Sequence, residues 1–354
     1  MATMREVAKR AGVSVATVSM VLNNTKPVTP EVRQRVEKAL TELDYRPNAL
    51  ARGLFKGKTR VIAFLVPSVS NPVFGENAAA IEEYANQNGY SVFIANTRGS
   101  RAIADDHVNR LIEMRVDGVI MTLTWENARD ELVERLHRHG IRVVGVSGSY
   151  VRPDIDCFMV DEEGAGYALG RYLLSLGHEQ CAFVGTSNSA VTQLRMSGLQ
   201  RAFAESGYAI PGEAVVWADS AEEKAREDAS ARLLASLGNY SCVVASYDLL
   251  ATSVLKKLLR QKISIPEHLA VATFGDHYAR ITVPGLTTMT HSEYEIGRLA
   301  VKRLLETIDD PAPSPVSINL EKRLVVREST GPVSTDVHGH PHDIDAASVL
   351  PREV

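Results

Sequence analysis

From Val61 onward, short apolar runs alternate with stretches of helical spacing, and the alternation occurs twice. In the first series, 61–66, 91–95, 118–123 and 143–146 read as buried strands, with helical spacing over 78–87, 105–114 and 128–139. In the second, strands at 157–160, 181–185, 242–246 and 271–274 alternate with helices at 165–176, 194–206, 222–237 and 249–260. Strands joined through helices pair in parallel, with helices covering both faces of the sheet. Two such series predict two doubly wound lobes. Ligands of such sheets bind beyond the carboxyl ends of the strands.

The first sixty residues follow another pattern. Thr3 is placed to cap a helix, and Glu6 three residues on completes a capping box. Val7, Ala8 and Ala11 share a face, and Gly12 suits a left-handed stop. Ser14 is a second N-cap candidate, ahead of a helix over 15–23. Thr29 and Pro30 open a third helix, with Val32, Val36, Leu40 and Leu43 as its apolar stripe. Two short helices around a tight Gly turn form a helix-turn-helix, whose second helix lies in the major groove of DNA. Charge agrees with that assignment. Residues 1–60 hold 12 Lys and Arg against 5 Asp and Glu, whereas the remainder holds 27 against 38. A basic head on an acidic body is the asymmetry expected when only the head meets phosphate.

Residues 5–54 resemble the lactose-repressor/galactose-repressor (LacI/GalR) family of bacterial transcription regulators. The resemblance rests on Val7-Ala8-Lys9-Arg10-Ala11-Gly12-Val13-Ser14, on Ala16-Thr17-Val18-Ser19 with Val21-Leu22-Asn23, and on Tyr45-Arg46-Pro47-Asn48-Ala49-Leu50-Ala51-Arg52 with Leu54. It continues to about residue 330 through Arg115-Val116-Asp117-Gly118, Leu176-Gly177-His178, Pro284-Gly285-Leu286-Thr287-Thr288 and Arg323-Leu324-Val325-Val326-Arg327-Glu328-Ser329-Thr330. It implies an N-terminal all-α helix-turn-helix head over 1–46, a hinge helix and linker over 47–60, and a body over 61–330 for effector binding and dimerisation. That body is an α/β pair of doubly wound lobes resembling periplasmic sugar-binding proteins, with the chain crossing between lobes near 160, 290 and 320. The stretch 331–354 lacks periodicity and reads as a disordered tail.

The same resemblance assigns roles. Val15, Ala16 and Met20 match base-edge positions, Thr17 and Ser19 match phosphate contacts, and Thr3, Ser14 and Asn23 join the DNA-facing set. Met20 cannot give the bidentate guanine contact of an arginine, which leaves apolar contact with thymine methyls. The competing reading packs Val15 and Met20 inside the head. Asn48 would cap a hinge helix carrying Ala51 and Leu54, with Leu54 as a wedge in the minor groove. The bland alternative there is a plain linker. Phe74, Arg195, Asp248 and Asp276 match effector-contacting positions, and Trp125 is placed either to stack on a sugar or to pack. Gly275 and Tyr247 replace the Asp and Asn that relatives often carry. Beside Arg195, with Arg98 and His277 near, those lost acceptors favour an acidic ligand over a neutral sugar.

The remaining features set bounds. No apolar run approaches the ~18 residues of a membrane span, and the N-terminus lacks the apolar core of an export signal. Cys157, Cys181 and Cys242 are odd in number and sit in apolar runs, which points to small core residues in the cytoplasm, beside the nucleoid. Gly164-Ala165-Gly166-Tyr167-Ala168-Leu169-Gly170 mimics a dinucleotide loop with the wrong spacing. His338, His340 and His342 alternate in the tail without a metal-site pattern, and no cofactor or metal is expected. No Walker loop, nucleophile elbow or metal spacing supports an α/β enzyme with a helical appendage. A transport solute-binding protein would lack the basic head. The tail has no leucine heptads, so the expected assembly is a homodimer that binds operator DNA and a small, sugar-like effector.

Overall fold

The computed structural model describes residues 2–23, 26–45, 58–123, 130–148, 151–238, 240–310 and 314–333. The chain separates into two compact units, residues 1–60 with 115–117, and the rest. The first unit holds α1 (Met4–Ala11), α2 (Val15–Asn23) and α3 (Pro30–Glu42). The capping box forms. The Thr3 amide donates to Glu6 Oε2 at 2.7 Å, and the Glu6 amide donates to Thr3 Oγ1 at 3.3 Å. Gly12 takes φ 63° and ψ 41°, the left-handed region that favours glycine. The carbonyls left open at that helix end meet Arg35 of α3, which donates to Ala11 O at 2.9 and 2.6 Å and to Gly12 O at 2.7 Å. Val7, Ala8, Ala11, Val18, Val21, Val36 and Ala39 make the core. In the same unit, Asp117 accepts from the Thr59 amide at 2.8 Å and the Arg60 amide at 2.9 Å, so the end of the linker is hydrogen-bonded to its carboxylate.

The second unit contains two six-stranded sheets. Its elements are β1 (Val61–Val66), α4 (Pro72–Gln87), β2 (Ser91–Asn96), α5 (Arg101–Glu113), β3 (Gly118–Leu123), α6 (Asp130–Arg138), β4 (Arg142–Gly148) and β5 (Asp156–Val160). There follow α7 (Glu162–Ser175), β6 (Cys181–Thr186), α8 (Ala190–Glu205), β7 (Val215–Ala218), α9 (Glu223–Ala235), β8 (Cys242–Ala245), α10 (Asp248–Arg260) and β9 (Ala270–Phe274). The chain closes with β10 (Thr287–Thr290), α11 (Glu293–Asp309), β11 (Ser317–Leu320) and β12 (Arg323–Val325). The first sheet has the order β11-β5-β4-β3-β1-β2 and the second β12-β10-β9-β8-β6-β7. All pairings are parallel except β10 with β12. In both, the first strand laid down, β1 or β6, has its successors on opposite sides, which creates a switch point between β1 and β3 and another between β6 and β8.

One sequence expectation is corrected. The sequence pattern puts the run 157–160 in the second series, but β5 pairs with β4 and β11 in the first sheet. The chain leaves that sheet only after Val160, and Asp161 then caps α7 by accepting from the Gly164 amide at 2.8 Å. It returns between β10 and α11, because α11 packs into the core with Phe64, Ile120 and Val144 of the first lobe. It crosses again between β11 and β12. The second lobe buries Phe183, Leu199, Phe203 and Phe274 on its α7–α8 side and Val184, Val243, Val254 and Val271 on its α9–α10 side.

The glycine-rich run 164–170 is explained by packing. A Cβ on Gly166 would stand 2.1 Å from Arg195 O, and one on Gly198 would stand 1.9 Å from Glu163 O. Both glycines let α7 and α8 approach to backbone contact, and that approach sets Glu162 beside Arg195.

Candidate functional site

The first candidate face is the start of α2. Ser14 caps it through the Thr17 amide at 3.0 Å and lies 2.8 Å from Thr17 Oγ1. Val18 and Val21 point into the core, so Val15 and Ala16 are left exposed and Thr17, Ser19 and Met20 half-buried. Val15 is 41% exposed, which excludes the reading that buries it within the head. The first turn of α2 carries no carboxylate, so nothing there repels a phosphate. Thr3 is committed to its capping box. Asn48, Ala51, Leu54, Trp125, the Asn23 side chain and the tail histidines lie outside the described residues.

The second candidate is the cleft between the two sheets. His277, just past β9, has Nδ1 3.6 Å from Glu76 Oε1 at the start of α4, so the carboxyl ends of β1 and β9 face one another. Four of the residues expected to touch a ligand have partners within the chain: Arg195, Asp248 and Asp276 are hydrogen-bonded, and Phe74 packs on the first-lobe core. Arg195 forks onto Glu162, Nε to Oε2 at 2.7 Å and Nη2 to Oε1 at 2.9 Å, and donates from Nη1 to Ser246 O at 2.5 Å. Asp248 accepts from the Leu249 amide at 2.8 Å and the Tyr278 amide at 2.7 Å. Asp276 pairs with Arg327 at 2.7 Å. Phe74 is half-buried against the first-lobe core. The fork of Arg195, expected to be open for a hydroxyl or carboxylate, is occupied by a carboxylate of this chain.

Around Arg195 lies a buried charge cluster that the sequence reading missed. Lys322 Nζ sits 3.0 Å from Glu162 Oε2, with the two side chains 2% and 7% exposed. The Arg195 guanidinium carbon lies 4.8 Å from the centre of the Phe274 ring, and Lys322 Nζ lies 5.8 Å from it. Burial pushes the Glu162 carboxyl up, but the charges of Arg195 and Lys322 outweigh it and hold it at about 2. Burial, then the neighbouring Arg195 charge, lowers the Lys322 ammonium to about 8 against the pull of Glu162 and Glu293. Glu293 in turn lies 2.9 Å from His291 Nε2 and accepts from Asn77 Nδ2 at 2.9 Å.

A further feature of the cleft is a set of buried hydroxyls without hydrogen-bond partners among the described residues: Thr97, Thr122 and Ser147 in the first lobe and Ser246 in the second. Thr97 follows β2, Thr122 and Ser147 end β3 and β4, and Ser246 follows β8. Buried polar groups are ordinarily paired, so each of these hydroxyls has hydrogen-bonding capacity that the described residues do not use. For Thr122, Ser147 and Ser246 the signal in the sequence is the first polar residue closing an apolar run; Thr97 comes second, after Asn96.

Comparison with known proteins bears on both sites. Residues 3–48 match the model for bacterial regulatory proteins of the lacI family, and residues 171–330 match a periplasmic binding protein-like domain. The HTH-type transcriptional repressor PurR of Vibrio campbellii is 31% identical over 332 residues, spanning 93% of this chain and 98% of that protein. The ribose operon repressor of Haemophilus influenzae is 28% identical over 331 residues, again spanning 93% and 98%. The lac repressor dimer bound to operator and the anti-inducer ONPF has the same fold, with a TM-score of 0.82 at 23% identity over 93% of this chain and 99% of that one. The chain belongs to the lacI family of bacterial regulatory proteins. It is a transcriptional repressor built from a helix-turn-helix head and a ligand-binding body of the periplasmic-binding-protein type.

Proposed function

We propose that the head reads an operator through Val15, Ala16 and Met20, with Thr17 and Ser19 on phosphates, and that a sugar or sugar acid held between the lobes controls operator affinity. The exposure of Val15 and Ala16 on a helix start free of carboxylates supports the first half. The observation that carries the second is the row of unpartnered hydroxyls at the carboxyl ends of both sheets. A polyhydroxylated ligand satisfies them reciprocally, and a hydrocarbon would leave them dry. Control is a difference in ligand affinity between DNA-competent and DNA-incompetent states. No catalytic step is part of this reading, and the protein works in the cytoplasm, where the operator is. Among the described residues no helix is long and apolar enough to cross a membrane.

The functional unit in this reading is a dimer. Edge strand β2 exposes Phe93 and Ile94, and the loop before β10 exposes Ile281 and Val283, the latter 85%. A bare apolar edge strand invites pairing unless a partner covers it. Two experiments test the function. Selection of duplexes from a random library should return a pseudo-palindrome whose binding weakens steeply with salt, and a sequence-indifferent pool would overturn the operator assignment. A thermal-shift panel of sugars, sugar acids and nucleobases, repeated with the selected duplex, should then find a ligand whose shift depends on DNA.

A further inference from the structure

At each of the three crossovers between the lobes a buried ionisable side chain, or in the second case two, lies at the hinge. Glu162 follows the first, His291 and Glu293 flank the end of the second, and Lys322 lies within the third. These chain segments are separated by more than a hundred residues in two of the three pairings, yet their charges converge. Lys322 bonds to Glu162, Glu162 bonds to Arg195, and Glu293 contributes a favourable field at Lys322. Asn77 ties Glu293 back to α4 of the first lobe. Arg195 belongs to α8 of the second lobe, so the belt runs from one lobe to the other through all three crossovers.

We propose that Glu162 and Lys322 are positioning residues: they hold Arg195 at the floor of the ligand cleft and set the resting angle between the two lobes. The proposal rests on reading the cleft as the effector site. A ligand that draws the fork of Arg195 does so by taking it from Glu162, whose charge Lys322 continues to balance. The hinge thereby senses occupancy through a change of partner within the belt. Two cations around one carboxylate make that exchange feasible, because breaking a buried pair with no second counter-ion is strongly disfavoured.

The test measures lobe geometry directly, without DNA or ligand. Spin labels on Arg138→Cys in the first lobe and Glu213→Cys in the second, in the full chain diluted with unlabelled protein, report the interlobe distance by pulsed electron resonance. Lys322→Met and Glu162→Gln should each add a distance population absent from the parent, and Lys322→Arg should restore the parent distribution. In the parent, the same new population should appear between pH 7 and 9. The charged groups facing Lys322 are Glu162 from α7, Arg195 from α8 and Glu293 from α11, and Lys322 loses its proton near 8. The Lys322→Arg protein keeps its charge, so its distances should stay constant over that range, which separates Lys322 from His291. Unchanged distances in folded Lys322→Met, or a pH response that persists in Lys322→Arg, would overturn the proposal. Should the variants fail to fold, an invariant distance in the parent from pH 7 to 9 does so by itself. Operator selection is independent of this result, so the repressor assignment stands or falls separately.

Discussion

At the scale of the residue, two positions carry sharp expectations. Gly12 has φ 63°, and a Cβ there would meet Arg35 Nη2 at 3.0 Å. Gly12→Ala should cost the head about 1–2 kcal/mol from the left-handed backbone alone, and more if Arg35 gives up its bonds to Ala11 and Gly12. Circular dichroism of the urea transition of the head reads this loss, and an unshifted midpoint would contradict it. The second expectation concerns pH. Glu162 is held at about 2 against an ordinary 4.5, so its contribution to stability is complete above 4.5 and is lost as pH falls toward 2. Lys322 is a base lowered from 10.5 to about 8, so between those values the unfolded chain binds more protons, and stability rises with pH. Urea midpoints of the parent should therefore gain on those of Lys322→Met between pH 8 and 10, a gain that no carboxylate in the belt mimics. The sequence disclosed Arg195 but not what holds it. Glu162 stands in the first turn of a helix, where a carboxylate is ordinarily a solvated complement to the helix dipole. Its second counter-ion, Lys322, stands 160 positions on, and no local pattern encodes that.

At the scale of the element, the close approach of α7 and α8 is the most vulnerable contact. Gly198→Ala places a methyl group within 1.9 Å of Glu163 O, which neither backbone can accommodate without parting the helices. We expect destabilisation of about 1–3 kcal/mol or more, with the Arg195–Glu162 pair lengthened as the helices separate. Chemical unfolding with tryptophan fluorescence measures the first effect, because Trp217 packs edge-on to Phe183 in this lobe. A variant as stable as the parent would mean that the helices tolerate separation. The alternation of apolar runs and helical spacing made β1 to β4, β6, β8 and β9 legible. Apart from the edge strand β2, those strands are buried, as Val61–Val66 and Gly118–Leu123 illustrate. The strands not read from the sequence, β7, β10, β11 and β12, differ physically; β7 is a half-buried edge strand of four residues. β11 is an edge strand with mostly exposed side chains, and β12 is three residues long beginning with Arg323. β10 is buried but reads Thr-Thr-Met-Thr, its hydroxyls satisfied by partners such as Gly275 O and Arg327 O rather than by an apolar face.

At the scale of the whole molecule, the two units should be separable. Among the described residues, the core clusters of the body hold none before Ile62. A chain beginning at Thr59 should fold, keep its ligand response and lose operator binding, and retention of operator affinity would move the DNA site out of the head. Light scattering on the full chain should give a dimer, and Phe93→Lys with Ile94→Lys should shift it to monomer. A dimer that survives both substitutions would place the interface elsewhere. The head and the two lobes were readable because each has its own periodicity, and the family because the residues of 5–54 match its motifs in order. The line of the hinge was less so, since it depends on which sheet claims β5.

The order in which the lobes are completed has a consequence for synthesis. The first lobe needs α11 and β11, which emerge only after β6 to β10 of the second lobe have been made. The second lobe needs β12, made last of all. On the ribosome, neither lobe can close while the chain is shorter than about 320 residues, so the two must finish together instead of one after the other. A truncation that removes the last two strands would therefore open both sheets at once, and a nascent chain stalled before α11 should expose the apolar face of the first lobe, Phe64 and Ile120 included, to whatever chaperone attends it.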